Sequence, residues 1–451
     1  MLILNQQDSI FESLYGVQKY YYWKQYVVSP YVYEMNMENG KIFYNTMTSE
    51  ILFLDTREIN IFLSNSDNFF KQTLINKWFY VPNDLDMKSF VYLLRQQYSY
   101  HNDKKWSGKI SRATILTTTE CNAKCPYCYE RGTKKHTMSQ EIANDLSKYL
   151  VSHAKSSLKI RWFGGEPLVN ASVINTICNN LKTSDVNYTS TMVSNCYLLD
   201  KHSDEEITEL WKLKAIQITI DGTKNEYLKI KSLPNDAYET ILNQIIRLAN
   251  LNIKVAIRVH VTMDNVSDIE QLVIQLNNYL SVLDDKRNNV SIYLASLFDS
   301  DCTHTEKHNT QNIKIAEEII RLNKIVAQVQ TKKHSPGRTQ TYHCMADDNT
   351  SLVFTPAGEI SLCEHCHDRE IIGNIYDTTI KLPTEWKEYV IPSGKCYECF
   401  YYPRCIKLKK CEADTGCSEG KRLLIKYNIE EMMRQFYEKS KARKINTYSR
   451  A

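Results

Sequence analysis

Three cysteines crowd one short stretch of the chain, Glu120-Cys-Asn-Ala-Lys-Cys-Pro-Tyr-Cys-Tyr129, with the spacing C-x3-C-x2-C. Three thiolates on one loop can hold three corners of a 4Fe–4S cube, because such clusters are bound by cysteine thiolates. The fourth iron then has no protein ligand from the loop, and an open metal position is what a catalytic site needs. Zinc prefers four closed ligands in paired C-x2-C units, so it fits a lone triple less well. The chain has 14 cysteines in 451 residues. Eight more fall between Cys344 and Cys417, and only Cys178, Cys196 and Cys302 stand apart, where each reads as a buried apolar thiol.

Glycine is scarce, 13 in all, so the adjacent pair in Trp162-Phe-Gly-Gly-Glu-Pro167 attracts notice. Gly164 and Gly165 would let backbone approach a ligand closely, and Glu166 could pair with a ligand ammonium. Taken alone, the same run could be a turn with a solvated carboxylate.

These residues need elements to position them. Strand-like runs at 113–119, 159–163, 189–194, 215–220, 254–262 and 290–295 alternate with helix-like runs at 139–154, 171–181, 203–213, 236–250, 266–280 and 310–330. Six β–α units in series predict an α/β fold with a parallel sheet, whose chemistry gathers at the C-terminal ends of the strands. Residues 1–108 form a separate small region. There, short strands at 31–34, 41–44 and 51–55, with a hairpin turn at Asn39-Gly40, precede helices at 66–78 and 84–97. A polar linker is expected at 102–108. Residues 336–451 lose the alternation and consist of short strands, turns and cysteines, then a helical tail over about 419–441. The division is therefore 1–108, 109–335 and 336–451.

The C-x3-C-x-aromatic-C loop, with Tyr127 as the aromatic, resembles the signature of the radical S-adenosylmethionine superfamily. The Gly164-Gly165-Glu166-Pro167 run resembles that family's G-G-E-P motif. The resemblance implies a partial (β/α)6 barrel in which Cys121, Cys125 and Cys128 hold a 4Fe–4S cluster. The open iron would chelate S-adenosyl-L-methionine, whose cleavage yields a 5′-deoxyadenosyl radical. Tyr127 would lie near the adenine. Gly164, Gly165, Glu166, Pro167, Ser194, Asn195, Asp221 and Arg258 would contact the cofactor. Cys196 stands where relatives often carry Gly, and His260 where many carry Asn.

The C-terminal set, C-x13-G-x4-C from Cys344 to Cys363 and then Cys396, Cys399, Cys405, Cys411 and Cys417, resembles the SPASM extension of peptide-modifying members. That resemblance implies two auxiliary 4Fe–4S clusters, three in all. One would use Cys344, Cys363 and Cys411, with Cys366 either its fourth ligand or a bystander beside an open iron. The other would use Cys396, Cys399, Cys405 and Cys417. The C-x5-C spacing of Cys405 and Cys411 leaves Cys411 and Cys417 exchangeable. Read from spacing alone, the set would suit a pair of zinc sites equally.

The N-terminal region resembles the winged-helix-like leader-recognition domain of such maturases, through Tyr44-Asn-Thr-Met-Thr-Ser-Glu50, in which Ser49 replaces the usual Gly. A packing-only domain is the other reading. The expectation is an enzyme that binds a precursor peptide by its leader and installs a thioether or carbon–carbon crosslink. A flavodoxin or ferredoxin would supply electrons. The alternatives are an anaerobic sulfatase-maturating enzyme that makes formylglycine and a non-catalytic iron–sulfur or zinc electron-transfer protein. The sequence offers no clear general base. The near-balanced charge, formally +4, asks for neither nucleic acid nor an anionic membrane. With no secretory signal in residues 1–12, the expected location is the cytoplasm.

Overall fold

The computed structural model describes residues 2–5, 24–63, 69–102, 108–297, 306–329, 345–348, 350–364, 371–377, 380, 394–405 and 417–448. Cys302, Cys344, Cys366 and Cys411, and most of the expected linker at 102–108, lie outside them.

The N-terminal region supplies β1 (Leu2–Asn5), β2 (Tyr26–Val28), β3 (Val32–Met37), β4 (Gly40–Asn45), β5 (Ile51–Asp55), α1 (Thr56–Leu63), α2 (Phe69–Asn76), β6 (Tyr80–Pro82) and α3 (Met87–Asn102). An antiparallel sheet in the order β1-β5-β4-β3 carries a separate β2-β6 ribbon. The β3–β4 hairpin turns at Glu38-Asn39, one residue earlier than expected, and Gly40 already pairs with Met37. Gly40 is needed because a Cβ there would lie 2.1 Å from the Leu54 carbonyl oxygen of β5. Helix α1 was not expected. It starts with no break after β5, through a capping box in which Asp55 Oδ1 accepts the Glu58 N–H (2.8 Å) and Glu58 Oε2 accepts the Asp55 N–H (3.1 Å).

The middle region runs β7 (Ile110–Thr118), α4 (Gln140–His153), β8 (Ala154–Gly164), α5 (Ala171–Thr183), β9 (Tyr188–Val193), β10 (Leu213–Thr219), α6 (Lys224–Lys231), α7 (Ala237–Asn250), β11 (Lys254–Val261), α8 (Val266–Leu280), β12 (Val290–Ser296) and α9 (Glu306–Val329). The six strands are parallel and lie in chain order from β7 to β12. Their buried residues, among them Ile160, Trp162, Ile216, Ile218 and Ile257, pack with the helices into one core. A parallel sheet must be covered in this way on its faces.

The helix expected at 203–213 forms in shortened form over 204–210, and its last turn, Glu206–Leu210, is π-helical; a separate 3-10 turn at Tyr197–Lys201 precedes it. Its end is drawn onto neighbouring elements: the buried Trp211 donates from Nε1 to Asn175 Oδ1 (2.6 Å), and Asn175 donates to Glu206 Oε1 (2.5 Å). Lys212 then turns the chain with a φ of 49°.

Beyond residue 335 come β13 (Ser351–Phe354), β14 (Glu359–Ser361), β15 (Ile371–Asn374) and the tail helix α10 (Glu419–Tyr448). Strand β13 pairs parallel with β7, so the central sheet continues across the expected domain limit to nine strands. An Arg112–Asp348 ion pair and a Ser111–Thr350 hydroxyl contact (2.6 Å) reinforce that seam. Helix α10 lays Ile429, Met432, Met433 and Tyr437 on Ile42, Tyr44 and Ile51 of the N-terminal sheet. No described helix is long and apolar enough to cross a membrane.

Because Phe354 is fully buried in the common core against Tyr149, Phe354→Ala is expected to destabilise the whole sheet by about 3–5 kcal/mol. Denaturant unfolding followed by tryptophan fluorescence should show that loss in the main transition.

Candidate functional site

The cysteine loop begins where β7 meets the end of β8. Gly165 N–H donates to the Thr118 carbonyl (3.0 Å) and Glu166 N–H to the Glu120 carbonyl (2.9 Å). A Cβ on Gly164 would sit 2.2 Å from the Thr118 oxygen, and one on Gly165 2.3 Å from the Glu120 oxygen. The close approach that the sequence assigned to a ligand is thus made by backbone just ahead of the cysteines.

This clasp places Glu166 at the centre of the site. Its carboxylate is buried and accepts from Ser194 Oγ (2.7 Å), Asn195 N–H (2.7 Å) and Leu168 N–H (3.1 Å). The Asn195 side chain donates to Asn122 Oδ1 (2.6 Å), tying the end of β9 to the cysteine loop. Burial raises Glu166 to about 7, and the three donors and Lys231 only partly oppose it. Cys196 has a φ of 68°, a conformation that glycine adopts freely; this accounts for the Gly common in relatives. Pro167 opens the short 3-10 turn that follows Glu166.

The far side of the loop is held by a second buried carboxylate. Asp221 bonds Lys231 Nζ (2.9 Å), His260 Nδ1 (2.9 Å), the His260 N–H (3.2 Å) and the Tyr127 hydroxyl. Burial alone would raise its pKa, but Lys231 and His260 overcome this and hold it well below the usual carboxylate range. Lys231 also donates to Tyr127 (2.8 Å), and its carbonyl accepts the Lys124 N–H (2.8 Å). The Tyr127 ring meets His260 edge-on at 4.7 Å. Asp221, expected to contact a cofactor, therefore has its oxygens engaged within the protein.

Cys121 lies at the exposed end of the loop. The chain packed behind it, then Glu166, Cys125 and Cys128, push its thiol up to about 11 against the Ala123 N–H. Desolvation likewise raises Cys128. Burial thus keeps these two thiols in their neutral form unless a positive charge arrives to offset the thiolate. Among the described residues, Arg258 Nε and Asn122 Nδ2 are buried without a hydrogen-bond partner. The donor types, three thiols, a buried carboxyl and two unused N–H groups, are those an iron–sulfur cluster with an amino acid-like ligand takes, while among the described residues no three metal-ligating side chains lie together as a preformed ion site. A cavity of about 800 Å³ opens beside Tyr127 and His260, lined also by Glu226, Asp264, Asp268 and Leu297.

Residues 115–276 match the model of the Radical SAM superfamily. The chain carries a radical SAM domain. An uncharacterized protein of Methanocaldococcus jannaschii is 29% identical over 289 residues, covering 63% of this chain and 93% of that protein. A GTP 3',8-cyclase of Clostridium perfringens is 25% identical over 163 residues, 36% of this chain and 49% of the cyclase. The solved structure of native anSMEcpe with bound AdoMet and Kp18Cys peptide shares the fold, with a TM-score of 0.53 at 14% identity over 72% of this chain and 99% of that one.

Outside the radical SAM domain, consecutive turns gather Cys396, Cys399 and Cys405 on one loop: Cys399 N–H donates to the Cys396 carbonyl (3.1 Å), and Cys405 N–H to the Tyr402 carbonyl (3.2 Å). Cys417 accepts from Arg422 Nε (3.3 Å). That bond, followed by the charges of Cys417, Cys399 and Cys396, raises the Arg422 pKa. Cys363 follows β14 at the other end of this region. Cys178 and Cys196 are buried in the main core. Neither Lys231 nor Glu130, a buried carboxyl behind the cysteine loop that burial raises to about 7, was singled out from the sequence.

Gly165→Ala is expected to destabilise the fold by about 1–3 kcal/mol, since neither backbone can yield to the new methyl; thermal denaturation measures it. Glu166 holds its proton to higher pH folded than unfolded, where 4.5 is its ordinary value. The metal-free protein should therefore lose stability as pH rises from 4.5 towards about 7. Glu166→Gln should flatten that slope, with Glu130 supplying what remains; melting temperatures across this range would reveal an unaltered slope if the carboxyl is not its source.

Proposed function

We propose that this radical SAM enzyme modifies a ribosomally made precursor peptide, joining two of its side chains by a thioether or carbon–carbon bond. The observation that carries the reading is the junction of the Cys121–Cys128 loop with the buried Glu166 carboxylate. In the proposal, Cys121, Cys125 and Cys128 hold a 4Fe–4S cluster. Glu166 meets the ammonium of S-adenosyl-L-methionine, while Asn195 and Arg258 lie to its polar end and Ser194 holds Glu166 in place. When bound, cluster and cofactor supply a 5′-deoxyadenosyl radical that abstracts a hydrogen atom.

The chain's own part is to hold and shield. Gly164, Gly165 and Pro167 fix Glu166 against the loop. Asp221, with Lys231 and His260, fixes Tyr127 on its other side. Crosslinking removes two hydrogens from the peptide, one as an atom and one as a proton plus an electron. Cys396, Cys399, Cys405 and Cys417 would hold a group able to accept that electron, and Cys344, Cys363 and Cys411, with or without Cys366, another. The peptide reading draws support from this cysteine-rich region and from anSMEcpe, whose structure holds both AdoMet and a peptide. A precursor bound by its leader and a flavodoxin or ferredoxin donor complete the proposal, for a protein of the cytoplasm.

Anaerobically purified protein should be brown, with about twelve irons per chain if three cubes are present. With dithionite and S-adenosylmethionine it should release 5′-deoxyadenosine. A short peptide encoded beside its gene should lose the mass of a hydrogen pair, and alanine at Cys121, Cys125 and Cys128 together should abolish both. A colourless zinc protein would end the proposal, and an aldehyde formed in a sulfatase peptide would transfer it to formylglycine synthesis.

A further inference from the structure

The Tyr44–Glu50 run, read from sequence as part of a peptide-recognition unit, is wholly buried. Asn45 Oδ1 accepts the N–H groups of Met47 (3.0 Å) and Thr48 (3.3 Å), and Ser49 turns the chain with a φ of 63°. What this turn faces is the C-terminal cysteine loop. Thr46 Oγ1 donates to the Phe400 carbonyl (2.6 Å), and Arg404 reaches Ser49 Oγ. From α3, Arg95 donates to the Tyr402 carbonyl (2.7 Å) and the Cys405 carbonyl (2.5 Å), with its guanidinium 5.7 Å from the Tyr402 ring centre. Cys396, Cys399 and Cys405 pack on the cluster formed by Tyr31, Met47, Trp78, Val91 and Leu94.

We infer that the N-terminal unit is the mould for the Cys396–Cys399–Cys405 metal loop, and that Arg95 is its positioning residue. Arg95 is 2% exposed. An arginine keeps its charge inside a protein, and burying one needs a compensating anion or carbonyls aimed at it. Two carbonyls of the loop are so aimed, and a cluster bound by thiolates would add the anion. The fork fixes the turn carrying Cys405, while Thr46 fixes the one after Cys399. This rests on the auxiliary cluster reading above, which the test separates from it.

The test uses the full chain with Cys121, Cys125 and Cys128 all changed to Ala, so that any iron belongs to the C-terminal cysteines. In that background Arg95→Met should lose about a quarter of the auxiliary iron, that is about half of this loop's cube. What it retains at these cysteines should show a lower midpoint potential, because a nearby positive charge favours the reduced, more negative cluster. Arg95→Lys should restore the potential more than the iron, since it returns the charge without the fork. Thr46→Val, which leaves the charge in place, should increase hydrogen exchange across 396–405 at unchanged potential. Full iron and unaltered potential in Arg95→Met would overturn the inference while leaving the auxiliary clusters standing. No iron at all in the background would remove both.

Discussion

Two backbone hydrogen bonds, from Gly165 to Thr118 and from Glu166 to Glu120, set the geometry on which the rest of the site depends. They lock the ends of β7 and β8 so closely that neither glycine has room for a side chain. The cysteine loop leaves β7 at this lock and Glu166 leaves β8 at the same place, so their relation is fixed by main chain, which cannot change rotamer. Parallel strands all present their C-terminal ends on one edge, so Ser194, Asn195, Asp221 and His260 arrive there from three further strands.

The two buried carboxylates of this edge live in opposite electrostatic surroundings. Asp221 is neutralised from within by Lys231 and His260 and serves the architecture. Glu166 receives hydrogen bonds from a hydroxyl and two amides, and burial raises its pKa. A carboxyl kept dry without a cation in contact is pushed towards its neutral form. Environment, more than residue type, divides the two roles.

Much of this was legible in the sequence, and what was missed has physical reasons. The β–α alternation predicted all six parallel strands, because a buried parallel sheet writes long apolar runs into the chain. Ser49 and Cys196 were visible as departures from glycine, and both take a left-handed backbone. The capping box of α1 was also readable, as Asp55 and Glu58 at cap spacing ahead of apolar residues. The π-helical form of the turn at Glu206–Leu210 was not, since the contacts around it, such as Trp211 to Asn175, cross the fold. Nor could Lys231 be singled out: a lysine buried on a carboxylate and one dangling in water look alike in sequence. The continuation of the sheet past residue 335 escaped for the same reason, because strand pairing between distant segments leaves no local mark.

That last pairing has a consequence for how the molecule is born. Strand β7 finds its partner β8 soon after synthesis, but its other flank must wait for β13, which emerges only after most of the chain. Until then the nascent sheet offers the ribosome's surroundings a naked strand rim, beside the cysteine loop. Closing so long an excursion is slow. The edge of β7 beside the cysteine loop is therefore completed only once residues 351–354 have been made, late in the life of each chain.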